Sequence, residues 1–141
     1  MKKRQILVVI FLLAMTHISF GQSEKVVQQD SEIGKMMVRM AEIEIHPEYI
    51  DAYKAILKEE SEASVRLEAG VICIYPMVQK DNPLQIRLLE IYADKDAYQS
   101  HLRTPHFQKY KTSTLKMVKS LQLIDMEALD LKSMPKIFQK I

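Results

Sequence analysis

The chain has 141 residues, with 20 basic and 18 acidic side chains, three glycines and one cysteine. Three glycines supply no glycine-rich phosphate or dinucleotide loop, and a single cysteine cannot form a disulfide within the chain. The balanced charge, without a clustered basic face, excludes the electrostatic footprint of a nucleic-acid-binding protein.

The first 21 residues have the pattern of a secretory signal peptide. A basic start (Lys2 to Arg4) precedes an apolar run over residues 6–15, and the small residues Ser19 and Gly21 stand at the −3 and −1 positions of a cleavage site. The apolar run is short for a membrane span, and an uncleaved N-terminal anchor is the alternative interpretation. We therefore expect a periplasmic or secreted protein with no stable membrane anchor after cleavage.

The remaining chain divides into three parts. Residues 22–35 are polar and have no sustained period, which indicates a flexible tether. Residues 36–131 are enough for one domain. Residues 132–141 alternate apolar and basic side chains and are interpreted as a C-terminal tail.

The domain opens with a strand and an amphipathic helix. Residues 37–45 alternate in the manner of a half-buried strand, which ends at His46 and Pro47. The helix that follows runs for about 20 residues, with Gly70 predicted as its C-cap. One face of this helix collects Ile50, Tyr53, Leu57, Ser61, Ser64 and Leu67.

Two strands and a short helix come next. Residues 71–78 and 84–93 are rich in β-branched and apolar side chains, which predicts the second and third strands. A turn separates the two strands. Asp94 then begins a short helix that runs to about Leu102.

The last part of the domain predicts another helix and a final strand. Thr104 suits an N-cap and Pro105 suits the first helical position, so a second helix begins here. Its apolar face extends to Leu121, and residues 123–131 are typical of a strand. The order of elements is βαββαβ, with the second helix broken in two, which indicates an α+β fold of the ferredoxin-like type.

The predicted third strand is apolar on both faces. Ile86 and Leu88 alternate with Leu89 and Ile91, so both sides of the strand favour burial. Helices would cover one side of the sheet. A second copy of the chain is the simplest cover for the other side, since an exposed apolar sheet promotes aggregation. We therefore expect a homodimer.

The best candidate site follows the third strand, in the segment DKDAYQSHLRTPHF. Tyr98 and His101 are three residues apart and share a helix face, while Glu90 and Tyr92 point the same way from the strand. This arrangement predicts His101 as a general base that Glu90 orients. The alternative is a buried structural pair that ties the helix to the sheet.

His106 begins the second half of the broken helix and is predicted to hydrogen-bond a ligand oxygen. The two histidines do not predict a metal site, because their spacing spans the helix break and no aspartate or cysteine completes a ligand set. The sequence therefore predicts neither a metal nor a cofactor.

Three segments of the chain carry a resemblance to a known family: VRMAEIEIHPEYIDAYKAIL, the EAG that ends at Gly70, and LLEIYADKDAYQSHLRTPHFQKY. Over residues 37–131 the chain resembles the antibiotic biosynthesis monooxygenase family, especially its small quinol-monooxygenase-like members. It departs from many members in having Tyr92 where they have tryptophan. Lys111 lies near the position of the haem-ligating histidine of haem-degrading relatives, so the resemblance does not imply haem degradation.

The resemblance implies a dimeric α/β barrel in which each protomer keeps a pocket between its sheet and its helices. Family members of this kind oxidise phenols and quinols with O2 and without flavin, haem or metal. Carried over to this sequence, the resemblance makes the pocket residues Glu90, His101 and His106, with Tyr92, Tyr98 and Phe107 contacting the substrate.

The function predicted first is a cofactor-independent monooxygenase that acts outside the cytoplasm on a quinol-like or polyphenolic aromatic compound. Two alternatives stay open at this point. One is a dimeric module that binds a small molecule without turnover, and the other is an isomerase of a small metabolite.

Overall fold

The computed structural model describes residues 35–130, and the predicted signal peptide and C-terminal tail lie outside these residues. Within the described range, no helix is both long enough and apolar enough to cross a membrane. A 3-10 turn over Pro47–Tyr49 leads into the first helix. The strands and helices are β1 (Met37–Ile45), α1 (Ile50–Leu67), β2 (Val71–Val78), β3 (Gln85–Tyr92), α2 (Lys95–His101), α3 (Pro105–Thr114) and β4 (Val118–Met126).

The four strands form one antiparallel sheet in the order β2-β3-β1-β4. This order and the βαββαβ succession confirm the predicted ferredoxin-like α+β fold. Strand β1 lies between β3 and β4, so Arg39 stands opposite Glu90 on one side and Asp125 on the other. Three polar side chains are thereby aligned across the middle of the sheet.

The core lies between the sheet and the helices. Strands β1 and β3 alternate as expected for a half-buried sheet, and α1 contributes Tyr53 and Leu57 at helical spacing. Burying each such apolar side chain contributes about 1.5–3 kcal/mol. The core side chains from the two central strands are Ala41, Ile43, Ile45, Ile86, Leu88 and Tyr92.

The prediction for the last helix and strand was wrong by several residues. Helix α3 ends at Thr114 instead of near Leu121, and β4 begins at Val118 instead of residue 123. The free edge of β1 offers unpaired backbone groups, and Val118 begins the pairing with Ile45 after a register shift. Strand pairing with β1 therefore overrides the helical period of this stretch.

Gly70 is required for a different reason from the one predicted. It does not adopt the left-handed conformation of a helix C-cap; Glu68 caps α1, and its backbone N–H donates to the Ser64 carbonyl at 3.0 Å. A Cβ atom at Gly70 would lie 2.6 Å from the Cβ of Ala97. The glycine therefore allows α2 to pack against the start of β2.

The predicted break between α2 and α3 is confirmed. Asp94 accepts a hydrogen bond from the Ala97 backbone N–H at 2.7 Å and begins α2. Thr104 accepts from the Phe107 N–H at 3.3 Å and donates to the His101 carbonyl at 2.8 Å. One threonine thus caps the second helix and holds the end of the first, which fixes how His101 is presented.

Candidate active site

A cavity of about 540 Å³ lies between the helix side of the sheet and helices α2 and α3. Its apolar wall comes from Ala41, Ile43, Ile74, Leu88, Phe107, Leu121 and Leu123, among others. Its polar groups include Arg39, Glu60, Glu90, Tyr92, Tyr98, His101 and Tyr110. A largely apolar cavity with a few convergent polar side chains is typical of a small-molecule site.

The cavity is most open beside β4, the edge strand that no helix covers. Leu121 and Leu123 line the cavity, yet 57% and 47% of their respective surfaces remain exposed. They face the same way as Ile43 and Ala41, their partners in the β1–β4 pairing. Within the described residues, the exposed leucines therefore form a rim where the cavity meets solvent.

His101 is almost completely enclosed, with 2% of its surface exposed. Its Nδ1 lies 2.9 Å from Oε1 of Glu68, and its Nε2 lies 3.7 Å from Oε1 of Glu60. The ring of Phe107 packs against it with centroids 4.7 Å apart. The imidazole is therefore held between two carboxyl groups, of which only Glu60 lines the cavity.

Glu68 binds both histidines through one oxygen. Oε1 of Glu68 lies 2.6 Å from Nε2 of His106 as well as 2.9 Å from Nδ1 of His101. Burial would raise the pKa of Glu68, but the hydrogen bonds from His101 and His106 outweigh it and hold that pKa below its usual range. An ionised carboxylate only accepts hydrogen bonds. Nδ1 of His101 therefore carries the proton, and in the neutral ring Nε2 is the basic nitrogen.

Glu90 does not orient His101 as the sequence predicted. Its carboxylate accepts a hydrogen bond from the Tyr92 hydroxyl at 3.2 Å, because alternate residues of a strand share one face. Glu68 orients the imidazole instead. Glu90 still lines the cavity, so it belongs to the site as a half-buried wall residue.

His106 lies outside the cavity wall, although it was predicted to reach a ligand. It contacts the site through the hydrogen bond with Glu68 and through the ring of His101, whose centroid lies 6.4 Å from its own. The structure places Tyr92, Tyr98 and Phe107 along the cavity as predicted. Their part in binding a substrate stays a prediction.

Sequence reasoning missed Glu60 and Glu68, although the signal was present. Glu60, Ser64 and Glu68 succeed one another at intervals of four, which places them on one face of a helix. Ser64 donates to Oε1 of Glu60 at 2.8 Å. Two polar side chains on the buried face of an amphipathic helix, followed by a third at its C-cap, indicate a functional or structural polar network.

Two carboxyl groups of the cavity, those of Glu60 and Glu90, have a pKa above the usual range. Burial raises the pKa of Glu60, against the hydrogen bond from Ser64. Burial likewise raises the pKa of Glu90, against the hydrogen bond from Tyr92. The pKa values of Glu60 and Glu90 are thus shifted in the opposite direction to that of Glu68 behind His101.

A tyrosine pair and an arginine complete the polar groups beside the cavity. The hydroxyls of Tyr53 and Tyr110 lie 2.6 Å apart, and burial raises the pKa of Tyr110 to about 12. The guanidinium of Arg39 lies 4.6 Å from the centroid of the Tyr98 ring and 2.6 Å from Oδ1 of Asp125. Arg39 lines the cavity together with Lys111 and Lys119, and it lies on β1, one of the two central strands.

The sequence profile of the antibiotic biosynthesis monooxygenase family matches residues 36–113. Among curated proteins, none matches this chain. A crystal structure from Nitrosomonas europaea, provisionally named for the same family, has a TM-score of 0.64 at 19% identity over 67% of this chain and 91% of that one, a likeness of fold alone.

Two other solved structures are similar in sequence as well. A protein of Bacteroides thetaiotaomicron VPI-5482, provisionally named an antibiotic biosynthesis monooxygenase, is 50% identical over 70% of this chain and 93% of its own, with a TM-score of 0.69. A provisional monooxygenase of Lactobacillus acidophilus NCFM is 27% identical over 66% of this chain and 44% of its own, with a TM-score of 0.65. From the family profile and the first of these relatives, it follows that the chain belongs to the antibiotic biosynthesis monooxygenase family.

Proposed function

We propose that the protein is an exported, cofactor-independent monooxygenase that oxidises a quinol-like or polyphenolic aromatic compound with O2. One observation carries the proposal. An enclosed imidazole, His101, lies on the wall of an apolar cavity, with Nδ1 bonded to an ionised Glu68 and Nε2 on the side of Glu60. This is the arrangement of a general base whose tautomer a carboxylate fixes.

The reaction begins with removal of a phenolic proton by Nε2 of His101. Glu68 supports the imidazolium that forms, because its carboxylate accepts the Nδ1 hydrogen bond. The electron-rich phenolate then reduces O2 directly. One oxygen atom enters the ring and the other leaves as water, so a quinol and O2 give a hydroxyquinone and water without a further reductant.

The wall of the cavity supports the anionic intermediate. Arg39 brings a guanidinium to the same cavity, where its attraction for a phenolate is stronger than in water. The apolar side chains around it limit access of water to the reactive anion. The protein thereby supplies a base, a fixed orientation and a dry site, which is what this chemistry requires.

A homodimer is part of the proposal, because one row of apolar side chains crosses the sheet face away from the helices. Tyr75, Leu89, Met40 and Ile124 stand opposite one another on the four strands, and 59% of the Tyr75 surface is exposed. A second copy would bury this row. A monomeric mass at micromolar concentration in light scattering would contradict the dimer.

The decisive experiment is oxygen consumption against a panel of quinols. His101→Ala is expected to lower kcat by about 10²-fold or more, and His101→Gln checks that the loss does not come from unfolding. His46→Ala, at the start of the 3-10 turn, is the matched control and should keep full activity. Turnover under anaerobic conditions would favour an isomerase. Recovery of a bound ligand without oxygen uptake would favour a binding module.

A further inference from the structure

We propose that Glu68, His101 and His106 form a binding site for a divalent transition-metal ion of the zinc class, on the outer side of His101. The three ligand atoms are Oε1 of Glu68, Nδ1 of His101 and Nε2 of His106. All lie within 4.8 Å of one another. None of the chemistry proposed for the cavity uses a metal, so this site adds a second activity to the same histidine.

The set of donor atoms suits such an ion. Two imidazole nitrogens and one carboxylate oxygen are preferred by zinc, cobalt and related ions over magnesium or calcium. Metal–ligand bonds of about 2.0–2.2 Å in a tetrahedral site place neighbouring ligand atoms about 3.3–3.6 Å apart. Oε1 of Glu68 lies 2.9 Å from Nδ1 of His101 and 2.6 Å from Nε2 of His106, so an ion would require these side chains to separate by about 0.4–1.0 Å.

The backbone holds the three ligands in place. Glu68 caps α1, His101 ends α2, and His106 lies in the first turn of α3. Thr104 bonds both sides of the break between the two histidines, to the His101 carbonyl and the Phe107 N–H. Ligands on fixed helix ends lose little conformational freedom when an ion binds.

The second nitrogen of His101 also has the partner that metal-binding histidines need. Such histidines direct the other ring nitrogen toward a carboxylate or carbonyl, which orients the ring. Oε1 of Glu60 lies 3.7 Å from Nε2 of His101, and Ser64 holds that carboxyl group by a 2.8 Å hydrogen bond. Glu60 and Ser64 would therefore act as positioning residues behind the ligand.

An ion would reach the site from the protein surface instead of through the cavity. The His106 and Glu68 side chains are 19% and 12% exposed, whereas the His101 side chain is 3% exposed. His106 is thus the ligand that can move to admit the ion. The third ligand escapes detection in the sequence because Glu68 lies 33 residues before His101.

Metal binding would suppress the base proposed for the cavity, and this consequence rests on the proposed function. A neutral imidazole that binds an ion through Nδ1 carries its proton on Nε2. His101 then has no lone pair for a substrate proton. The ion would act as an inhibitor that switches the enzyme off from its outer surface.

The binding test uses the full mature chain, freed of metal with a chelator and titrated with Co2+ or Zn2+. We expect one ion per chain in calorimetry, and Co2+ absorption bands typical of nitrogen and oxygen ligands. Glu68→Gln and His106→Ala should each weaken binding at least about tenfold. His106→Asn repeats the test if the alanine variant folds poorly, and His46→Ala should bind as the wild type does. Binding that is unchanged in the Glu68 and His106 variants, or no stoichiometric binding up to about 1 mM, would overturn the site.

Measuring oxygen consumption in the presence of zinc distinguishes failure of the metal site from failure of the proposed function. Zinc is expected to lower oxygen consumption of the wild type in parallel with its binding curve, and chelator should restore it. Binding without inhibition would keep the metal site and remove the proposed switch. Oxygen consumption without any binding would keep the proposed function and reject the metal site.

Discussion

The carboxylate of Glu68 lies 2.9 Å from Nδ1 of His101, although 33 residues separate the two in the chain. The contact joins the end of α1 to the end of α2, and it assigns the proton of the imidazole to Nδ1. The role of His101 as a base, as proposed above, depends on this hydrogen bond.

Glu68→Gln should therefore lower kcat for quinol oxidation more than it changes KM. A hydrogen bond to a charged group contributes about 1.5–3 kcal/mol, so the expected loss is roughly tenfold to a hundredfold. Glu62→Gln, an exposed carboxylate paired with Lys58 on the same helix, is the matched control. Equal kcat in the two variants would show that Glu68 does not support the base.

Gly70→Ala should destabilise the fold, because the new Cβ would meet the Cβ of Ala97 at 2.6 Å. Overpacking of this kind costs about 1–3 kcal/mol. Urea unfolding of the two single variants and of the Gly70→Ala, Ala97→Gly double variant measures the contact. The double variant should lose less stability than the sum of the single variants, and strict additivity would refute the clash.

Glu90 should make stability depend on pH, because burial raises its pKa in the folded protein. The unfolded chain has a carboxyl pKa of about 4.3. At pH values just above this, the folded state therefore keeps more protons bound than the unfolded state does. The free energy of unfolding should then fall between the unfolded and the folded pKa. In Glu90→Gln this fall should be smaller, with Glu60 responsible for what remains.

Urea unfolding at several pH values between 4 and 8 measures this effect. Glu48→Gln, an exposed side chain in the 3-10 turn, is the control and should follow the wild-type curve. Parallel curves for wild type and Glu90→Gln would show that Glu90 does not titrate differently in the two states.

Tyr53 and Tyr110 should behave as a coupled pair, since their hydroxyls lie 2.6 Å apart. Tyr110→Phe leaves the buried Tyr53 hydroxyl without this partner, which costs about 1–3 kcal/mol. Replacing both by phenylalanine should cost less than the two single changes added together. Thermal or urea unfolding of the four proteins gives the coupling energy, and a value near zero would contradict the pairing.

Much of the fold follows from the sequence because periodicity and helix capping are local properties. The amphipathic α1, the alternating β1 and the Thr104 cap all depend on nearby residues, and all are found where predicted. The start of β4 could not be placed in this way. Its first residue is decided by hydrogen bonding to β1. The first pair is Ile45 with Val118, and more than 70 residues separate these two in the chain.

The candidate site was predicted only in part for the same reason. Helix spacing placed Tyr98 and His101 together, and strand alternation placed Glu90 and Tyr92 along the cavity. The partner of His101 could not be chosen by such rules, because Glu90 and Glu68 are both carboxylates within reach of the helix layer. The end of α1 decides between them, since its last turn carries Glu68 toward both histidines.

The exposed leucines of β4 lie apart from the groups proposed to react with a ligand, so ligand selection and the proposed reaction would depend on different parts of the fold. Leu121 and Leu123 line the cavity from β4, whereas the groups proposed to move protons belong to the helices and the inner strands. Substitutions along this edge strand would alter the size and shape of the compounds admitted while the imidazole and its carboxylates stay in place. One catalytic arrangement can thus serve different substrates through changes in a single outer strand.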